Sequence, residues 1–577
     1  MLFRSTEPRA YRYARLLENL DESTDALMAR QIDDPTHPDH GGFRNPDDGL
    51  ANPNGVSAAA AYGYAYLLPE AARAGDLDLV ERIEVAAAWG RRRRTAAGRF
   101  DLLSTNFDSS PDTGFTVQAL APVVRAAQQV AAKDEGAARI VEALGELMRT
   151  AAPGMVSGGF HTPNHRWVLT SALALCSELF PDLADQLMPT IDAYLGESID
   201  INEDGEFTER STSVYNPVCD RALRLAAESL GRQDLLAAVR ANLEMSYHLM
   251  HEDATVVTSF STRQDRGSRA VPVGLADAFY WIARHEKDAR FAAMAEWLVA
   301  TGGPGTPWTL EPFLTHPEWR DESAVCLAPP ETSYRKPYLA SGLWRVRRDR
   351  SSATVAAGMD SPFSLRHGEA ELSAVRVSST YFATGQFVGE GMEMIDSGAG
   401  TRLTHPGRNS MTHYPEGYEG PVYWLPFGDD TKVDSGNWKQ VRPQRQTYDM
   451  PPQQIQMTVR EVSAADGETA AFDLHLCTEG GVEGVPFQVV CVFEPGGIIE
   501  TGSAIMETPA GASAFLRDGD ASYRVGSDII RVGPGSCEHT MWHMHNSVDD
   551  PDRFRLLITL RSPIDYTLQI RTQNYRA

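Results

Sequence analysis

The sequence predicts an α+β chain of two domains, an array of helical hairpins over residues 1–327 followed by a large antiparallel β-sandwich over 328–577. Two textures and one repeat carry this reading. Up to about residue 325, Ala- and Leu-rich stretches space their apolar residues by three and four, as in Ala222, Leu223, Leu225, Ala226 and Leu230, the period of a helix with one buried face. Past residue 330, short β-rich runs alternate with Gly, Pro and Asp turns. The repeat, near fifty residues and two helices long, suits a curved or closed stack of hairpins.

Element by element, helices are predicted over 56–73, 77–90, 114–132, 136–150, 166–180, 182–195, 216–230, 233–250, 272–285 and 288–301. Connections within pairs are short and carry breakers, as in Ala74-Gly75-Asp76, Phe180-Pro181-Asp182 and Gly231-Arg232-Gln233-Asp234. Longer loops precede each pair, and polar residues recur there: Asn54, Asp112, Asn164, Tyr215 and the segment of Arg266 and Arg269. Their spacings run 58, 52 and 51 residues, then 51 to 54. Because every first helix of a pair starts at the same end of such an array, these loops are expected on one rim. The domain boundary is expected in Ala328-Pro329-Pro330-Glu331-Thr332, and strands over Ser373–Ser379, Phe487–Phe493, Ile498–Ile505 and Phe554–Leu560.

Composition narrows the function. A length of 577 residues exceeds one core, and 42% hydrophobic residues rule out global disorder. With 53 basic against 78 acidic side chains, the net charge of -25 argues against nucleic acid or an anionic membrane as partner. An anionic sugar can still enter a locally basic cleft, a short one more readily than a long polyanion. The opening MLFRSTEPRAYRYARLLENLDES lacks the apolar core of a signal peptide, and no stretch reaches the ~18 apolar residues of a membrane span. Six scattered cysteines (Cys176, Cys219, Cys326, Cys477, Cys491, Cys537) form no CxxC pair and read as buried reduced thiols. A cytoplasmic address is therefore expected, or a secreted or periplasmic one if a leader precedes this sequence, and at most a homodimer as protein partner.

Three segments could hold chemistry. In Gly158-Gly159-Phe160-His161-Thr162-Pro163-Asn164-His165-Arg166-Trp167, Pro163 suits the first turn of a helix, with Asn164 as an amide donor and His165 as an imidazole behind it. One repeat later, Asp204-Gly205-Glu206-Phe207-Thr208-Glu209-Arg210-Ser211-Thr212-Ser213-Val214-Tyr215-Asn216 runs from a turn to a Tyr at a helix start. The third, Ser364 to Leu372 around His367-Gly368-Glu369, opens the β half, and Arg402 to Tyr414 packs two Arg, two His and a Tyr into a loop-like stretch. Taken singly, each residue also has a structural explanation: a capping Asn, a core Tyr, a satisfied His. The basic run Arg91–Arg94 reads as a solvated helix end, and His539, His543 and His545 as strand alternation rather than a metal site.

In its order of Asn164-His165, DGEFTERSTSVY and a β half opening on His-Gly, the chain resembles the heparinase II/III-type and oligoalginate lyases. The resemblance implies an incomplete (α/α) toroid joined to an antiparallel β-sandwich, and β-elimination at a uronate with no cofactor required. Where many of those relatives read His-x-His, this chain has His367-Gly368-Glu369, so no metal ligand is expected. Elimination needs donors that neutralise the uronate carboxylate, a base for the C5 proton and an acid for the leaving O4. The resemblance implies Asn164, His165, Tyr215 and His367 as the catalytic set, with Asn164 and His367 on the carboxylate, Tyr215 as acid or acid and base, and Tyr414 as a second candidate base. Substrate contacts are expected from Asn54, Asp112, Arg166, Trp167, Glu209, Arg210, Arg266, Arg402 and Arg408, with Trp167 stacking on a sugar. The product would be a 4,5-unsaturated uronate, released by exo action on short oligosaccharides. Two rival readings are a toroidal glycoside hydrolase using two of Asp108, Asp112, Glu206 and Glu209, and a glycan-binding protein without turnover.

Overall fold

A computed structural model of the chain describes residues 11–305, 307–323, 325–381, 385–405, 422–544 and 547–575. They fall into two compact units, one of residues 1–250 and 254–330, the other of 251–253 and 331–577.

Every helical stretch predicted in the first unit forms a helix: α2 (Ala59–Leu67), α3 (Leu77–Arg93), α4 (Ser110–Val130), α5 (Glu135–Gly158), α6 (Pro163–Leu179), α7 (Ala184–Gly196), α8 (Tyr215–Leu230), α9 (Gln233–Leu249), α10 (Ala276–Glu286) and α11 (Ala289–Gly302). Two more, α1 (Tyr13–Arg30) and the short α12 (Glu311–Thr315), were not predicted. The starts follow from side-chain caps: Asp76, Ser109, Asp134 and Asp288 each accept from a backbone N–H of the first turn. Consecutive helices pair as hairpins, while α2, α4, α6, α8 and α10 pack side by side as an inner layer. The inner helices are buried nearly all round; α6 hides Trp167, Leu169, Leu173 and Cys176 alike. This is the incomplete (α/α) toroid expected.

The second unit is a sandwich of two nine-stranded sheets. One runs from Ser513–Phe515 through Pro486–Phe493 and Ala370–Ser379 to Ser333–Tyr338; the other runs from Ile505–Glu507 through Asp565–Asn574 and Glu468–Gly480 to Glu390–Ile395. All pairings along both sheets are antiparallel except Ser513–Phe515 on Phe554–Arg561. Inward residues of both sheets, among them Trp344, Phe363, Phe472, Phe487 and Ile530, form one core. The predicted strand Ile498–Ile505 is two strands, because Thr501 turns the chain by accepting from the backbone of Ser503 and Ala504. Arg402 sits within the strand Gly400–His405 rather than in a loop. A two-stranded hairpin pairs Val422–Trp424 with Thr447–Asp449.

None of the six cysteines is in a disulfide, but only Cys176, Cys219 and Cys491 are buried. Cys326 is exposed and Cys477 and Cys537 are half-buried, so burial was expected too broadly. Among the described residues no helix is long and apolar enough to cross a membrane.

Candidate functional site

The toroid rim does gather its loops. Asp112, in the first turn of α4, accepts from Asn54 Nδ2 (3.3 Å), Asn106 Nδ2 (2.9 Å) and Ser109 Oγ (2.6 Å), tying the start of the first hairpin to the second. In the next loop, Glu209 caps α6 from outside the helix. Its Oε2 accepts from the backbone N–H of Asn164 (2.8 Å) and from Asn164 Nδ2 (2.7 Å). That geometry fixes the amide orientation, since the flipped form would set Oδ1 against a carboxylate. The second Nδ2 hydrogen goes to Thr162 Oγ1 at 3.1 Å, and Oδ1 is buried without a hydrogen bond.

His165, one residue on, lies edge-on to His161 (ring centroids 4.6 Å apart) and to Phe115 (5.9 Å). Burial first, and then the neighbouring His161 and Arg263, push its pKa down to about 4, against a weaker opposing pull from Asp112. The imidazole is therefore neutral at neutral pH, and its Nδ1 has no partner.

Tyr215 opens α8. Gln264 Nε2 donates to its Oη at 2.7 Å, and the Arg263 guanidinium lies over its ring at 4.8 Å. Arg263 also pairs with Glu209 at 3.5 Å, which links Tyr215 to Asn164 through one guanidinium and one carboxylate. Asp265 builds this loop: it accepts from the hydroxyls of Ser211, Ser213 and Ser261 and from the Ser213 backbone N–H. Ser211 Oγ in turn accepts from Tyr215 N at 3.2 Å. Upstream, Gly205 has φ +91, and a Cβ there would meet Ala241 O at 2.4 Å, so the DG turn needs its glycine.

We expect Asp265→Asn to cost about 1–3 kcal/mol, because its amide would present N–H groups to a ring of donors. Thermal melting reads that loss, and kcat should fall with it as Tyr215 loses its tether. An unchanged melting temperature would mean that the clamp is slack.

Several expected substrate contacts are structural instead. Trp167 is fully buried with Nε1 donating to Asp200 Oδ1 at 2.6 Å, so no sugar can stack on it. Arg166 is buried between Glu197 (2.8 Å) and Asp200 (3.0 Å), with its guanidinium over Trp167. Arg210, at φ 48, donates to Glu206 at 3.1 Å and lies over Phe260. In the fifth loop Arg266 is exposed, and Arg263 and Gln264 are the residues that reach Tyr215. The signal that could have found them was the cluster of Arg263, Gln264 and Asp265 one repeat after Tyr215.

In the sandwich unit, His367 is buried with both ring nitrogens engaged, Nδ1 with Ser351 Oγ (2.9 Å) and Nε2 with Asn574 Oδ1 (2.7 Å). Burial lowers its pKa. Its expected role as a carboxylate ligand is corrected on that ground: neither nitrogen is left for a substrate. Gly368 follows at φ +54, where a Cβ would lie 2.1 Å from Asp528 Oδ2, which explains a glycine after this histidine. Arg402 forms a surface ion pair with Glu393 at 3.2 Å. Arg408, Tyr414 and His545 lie outside the described residues. His539 Nε2 bonds the Phe487 carbonyl, and His543 faces Asp549. Among the described residues no group of three His, Cys, Asp or Glu is placed to hold a metal ion.

A helical toroid with a histidine, a tyrosine and an arginine gathered at its rim, joined to a β-sandwich, defines the architectural class. Solved structures share it. The chain matches a mutant of heparan sulfate lyase HepC from Pedobacter heparinus (TM-score 0.51, 10% identity, covering 98% of this chain and 89% of that one). It matches a chondroitinase AC lyase (0.52, 11%, 99% and 83%) and a Paenibacillus xanthan lyase (0.52, 9%, 100% and 58%). No family model and no curated protein matches the sequence. The resemblance read from the motifs therefore holds at the level of the fold.

Proposed function

We propose that this chain is a polysaccharide lyase that cleaves a uronate-containing glycan by β-elimination, leaving a 4,5-unsaturated uronate. The observation that carries the reading is the Tyr215 hydroxyl, held by Gln264 under the Arg263 guanidinium, with Asn164 joined to it through Glu209 and the neutral His165 next along α6. The polysaccharide lyases that share its fold support the same chemistry.

The reaction divides among these groups. Arg263 supplies positive charge beside the uronate carboxylate, which stabilises the enolate-like dianion, while Asn164, fully buried with both Nδ2 hydrogens engaged by Glu209 and Thr162, fixes the start of α6 rather than binding the carboxylate as expected. Neutral His165 takes the C5 proton, or the Tyr215 oxygen takes it once its own phenolic proton has passed to His165. The electron pair moves to the C4–C5 bond, the C4–O4 bond breaks, and Tyr215 returns a proton to O4. No cofactor is required. Short anionic oligosaccharides attacked from one end suit a chain of net charge -25 better than long polyanions do.

The four carboxylates of the hydrolase alternative are all engaged by neighbouring side chains. Asp112 and Glu209 are held by the donors described, Glu206 by Arg210, and Asp108 by Arg99 at 2.7 Å. The direct test is a panel of uronate oligosaccharides read for near-ultraviolet absorbance, which a double bond conjugated to the carboxylate creates and hydrolysis does not. Turnover without a chromophore would replace this reading with hydrolysis.

A pH profile tests His165 separately. Its folded pKa is depressed, so the neutral ring dominates above about 4, and the acid limb of kcat/KM is expected near pH 4 rather than 6.5. The same shift means that folding favours the neutral form; its stability contribution is full above pH 6.5 and is lost as pH falls towards 4. A limb near 6.5 that disappears in His165→Ala would show a solvated imidazole and undo the assignment.

A further inference from the structure

In the elimination proposed above, on which this inference rests, each turnover leaves a proton on His165. The ring must lose it before the next substrate is attacked. Nδ1 is buried without a hydrogen-bond partner, so Nε2 is the nitrogen that can meet a substrate. With a pKa pushed down to about 4, the imidazolium is acidic enough to release its proton to a hydrated base within reach.

The groups around His165 differ in their capacity to take that proton. The Phe115 ring offers no lone pair. The Arg263 guanidinium is a cation with donors only. Asp112 pulls the other way, but its carboxylate already accepts from Asn54, Asn106 and Ser109. His161 is different: an exposed imidazole, edge-on to His165 with ring centroids 4.6 Å apart. Its place is built into the loop. Gly159, at φ +69, turns the chain at the end of α5, and the Phe160 ring packs edge-on against Tyr194 at 5.5 Å. His161 follows, just ahead of α6 and four residues before His165, the spacing of one helical turn.

We propose that His161 is a proton relay, taking from His165 the proton removed at C5, directly or through one water, and handing it to solvent. The C5–H bond breaks as the proton moves onto His165. The N–H bond on His165 then breaks as one forms on His161, and water takes the proton from there, so both rings end neutral. Tyr215, having given its proton to O4, regains one from solvent at its partly exposed side chain. His161 acts through His165 and does not touch the substrate.

His161→Gln keeps a polar side chain but cannot carry a proton, and its exposed position outside α6 lets the chain fold as before. The substrate is the panel oligosaccharide that the parent turns over fastest. In dilute buffer without imidazole, kcat should fall about tenfold, less than the ~10²–10⁴ of a group acting on the substrate itself. KM should fall in step and leave kcat/KM unchanged, because proton release follows the cleavage step. Added imidazole should restore kcat in the variant and leave the parent as it was. A merely structural role would lower kcat/KM and ignore imidazole. The relay is overturned if kcat holds in dilute buffer, if kcat/KM falls with it, or if imidazole has no effect. A parent that yields no ultraviolet-absorbing product sinks the lyase reading and the relay together, which keeps the two failures distinct.

Discussion

Replacing Tyr215 with Phe is expected to lower kcat on a uronate oligosaccharide by about 10²- to 10⁴-fold, the usual worth of a positioned proton-transfer group. The fold should survive, because the hydroxyl's hydrogen bond is with the exposed Gln264 and the helix start is held instead through the Tyr215 backbone N–H and Ser211. KM should change little, since the phenol works on the C5 proton and O4 while the carboxylate is held by other groups. A companion variant, Gln264→Ala, removes the donor to Oη but no proton carrier, and a loss of about tenfold or less is expected. The measurement is initial-rate formation of the conjugated product, with circular dichroism as the folding control. Tyr215→Phe activity within threefold of the parent would remove the phenol from the chemistry and with it the core of the proposed mechanism.

Much of this arrangement was legible in the sequence, and the parts that were not have physical reasons. The ten hairpin helices were readable from Ala- and Leu-rich runs of helical length with apolar residues three and four apart, bounded by Gly, Pro and Asp breakers, and the polar loop repeat joined Asn54 to Asp112 and the Asn164 loop to the Tyr215 loop. Helix α1 carries the same signal in Tyr13, Leu16, Leu17, Leu20 and Leu27, but its charged neighbours diluted it. Side-chain direction was the larger gap. Arg166 and Trp167 follow His165 on the opening turns of α6, yet a helix sends successive residues about 100° apart, so these two point to Asp200 while His165 faces the rim. Sequence spacing places a residue on an element; only packing decides whether its polar atoms are spent. His367 shows the same limit, since nothing local announces that Ser351 and Asn574 will occupy both its nitrogens.

The largest expected stability loss lies away from the rim, at Arg224. This residue is fully buried on α8, with NH2 on Glu311 of α12 at 2.7 Å, NH1 on Glu228 at 2.8 Å and Asp277 of α10 at 3.7 Å. Burial works against its charge, but the surrounding carboxylates hold it more firmly protonated than a free guanidinium. Glu311 is fully buried as well, and burial raises its pKa even with the arginine beside it. Removing the cation therefore strands an acid that has no access to water. Arg224→Met should cost about 3–5 kcal/mol, the penalty for half of a buried pair, and lower the melting temperature by roughly 5–10 °C in a unit of this size. The double variant Arg224→Met/Glu311→Leu should recover most of the loss, because it removes the stranded Glu311 while Asp277 keeps Arg221 and Glu228 keeps Trp281 and His316. Catalysis should persist below the transition, since Arg224 lies nine residues after Tyr215, about 13 Å along the helix. A single variant that melts with the parent, or a double variant that melts lower still, would show that this cluster is solvated and does not hold the inner helices together.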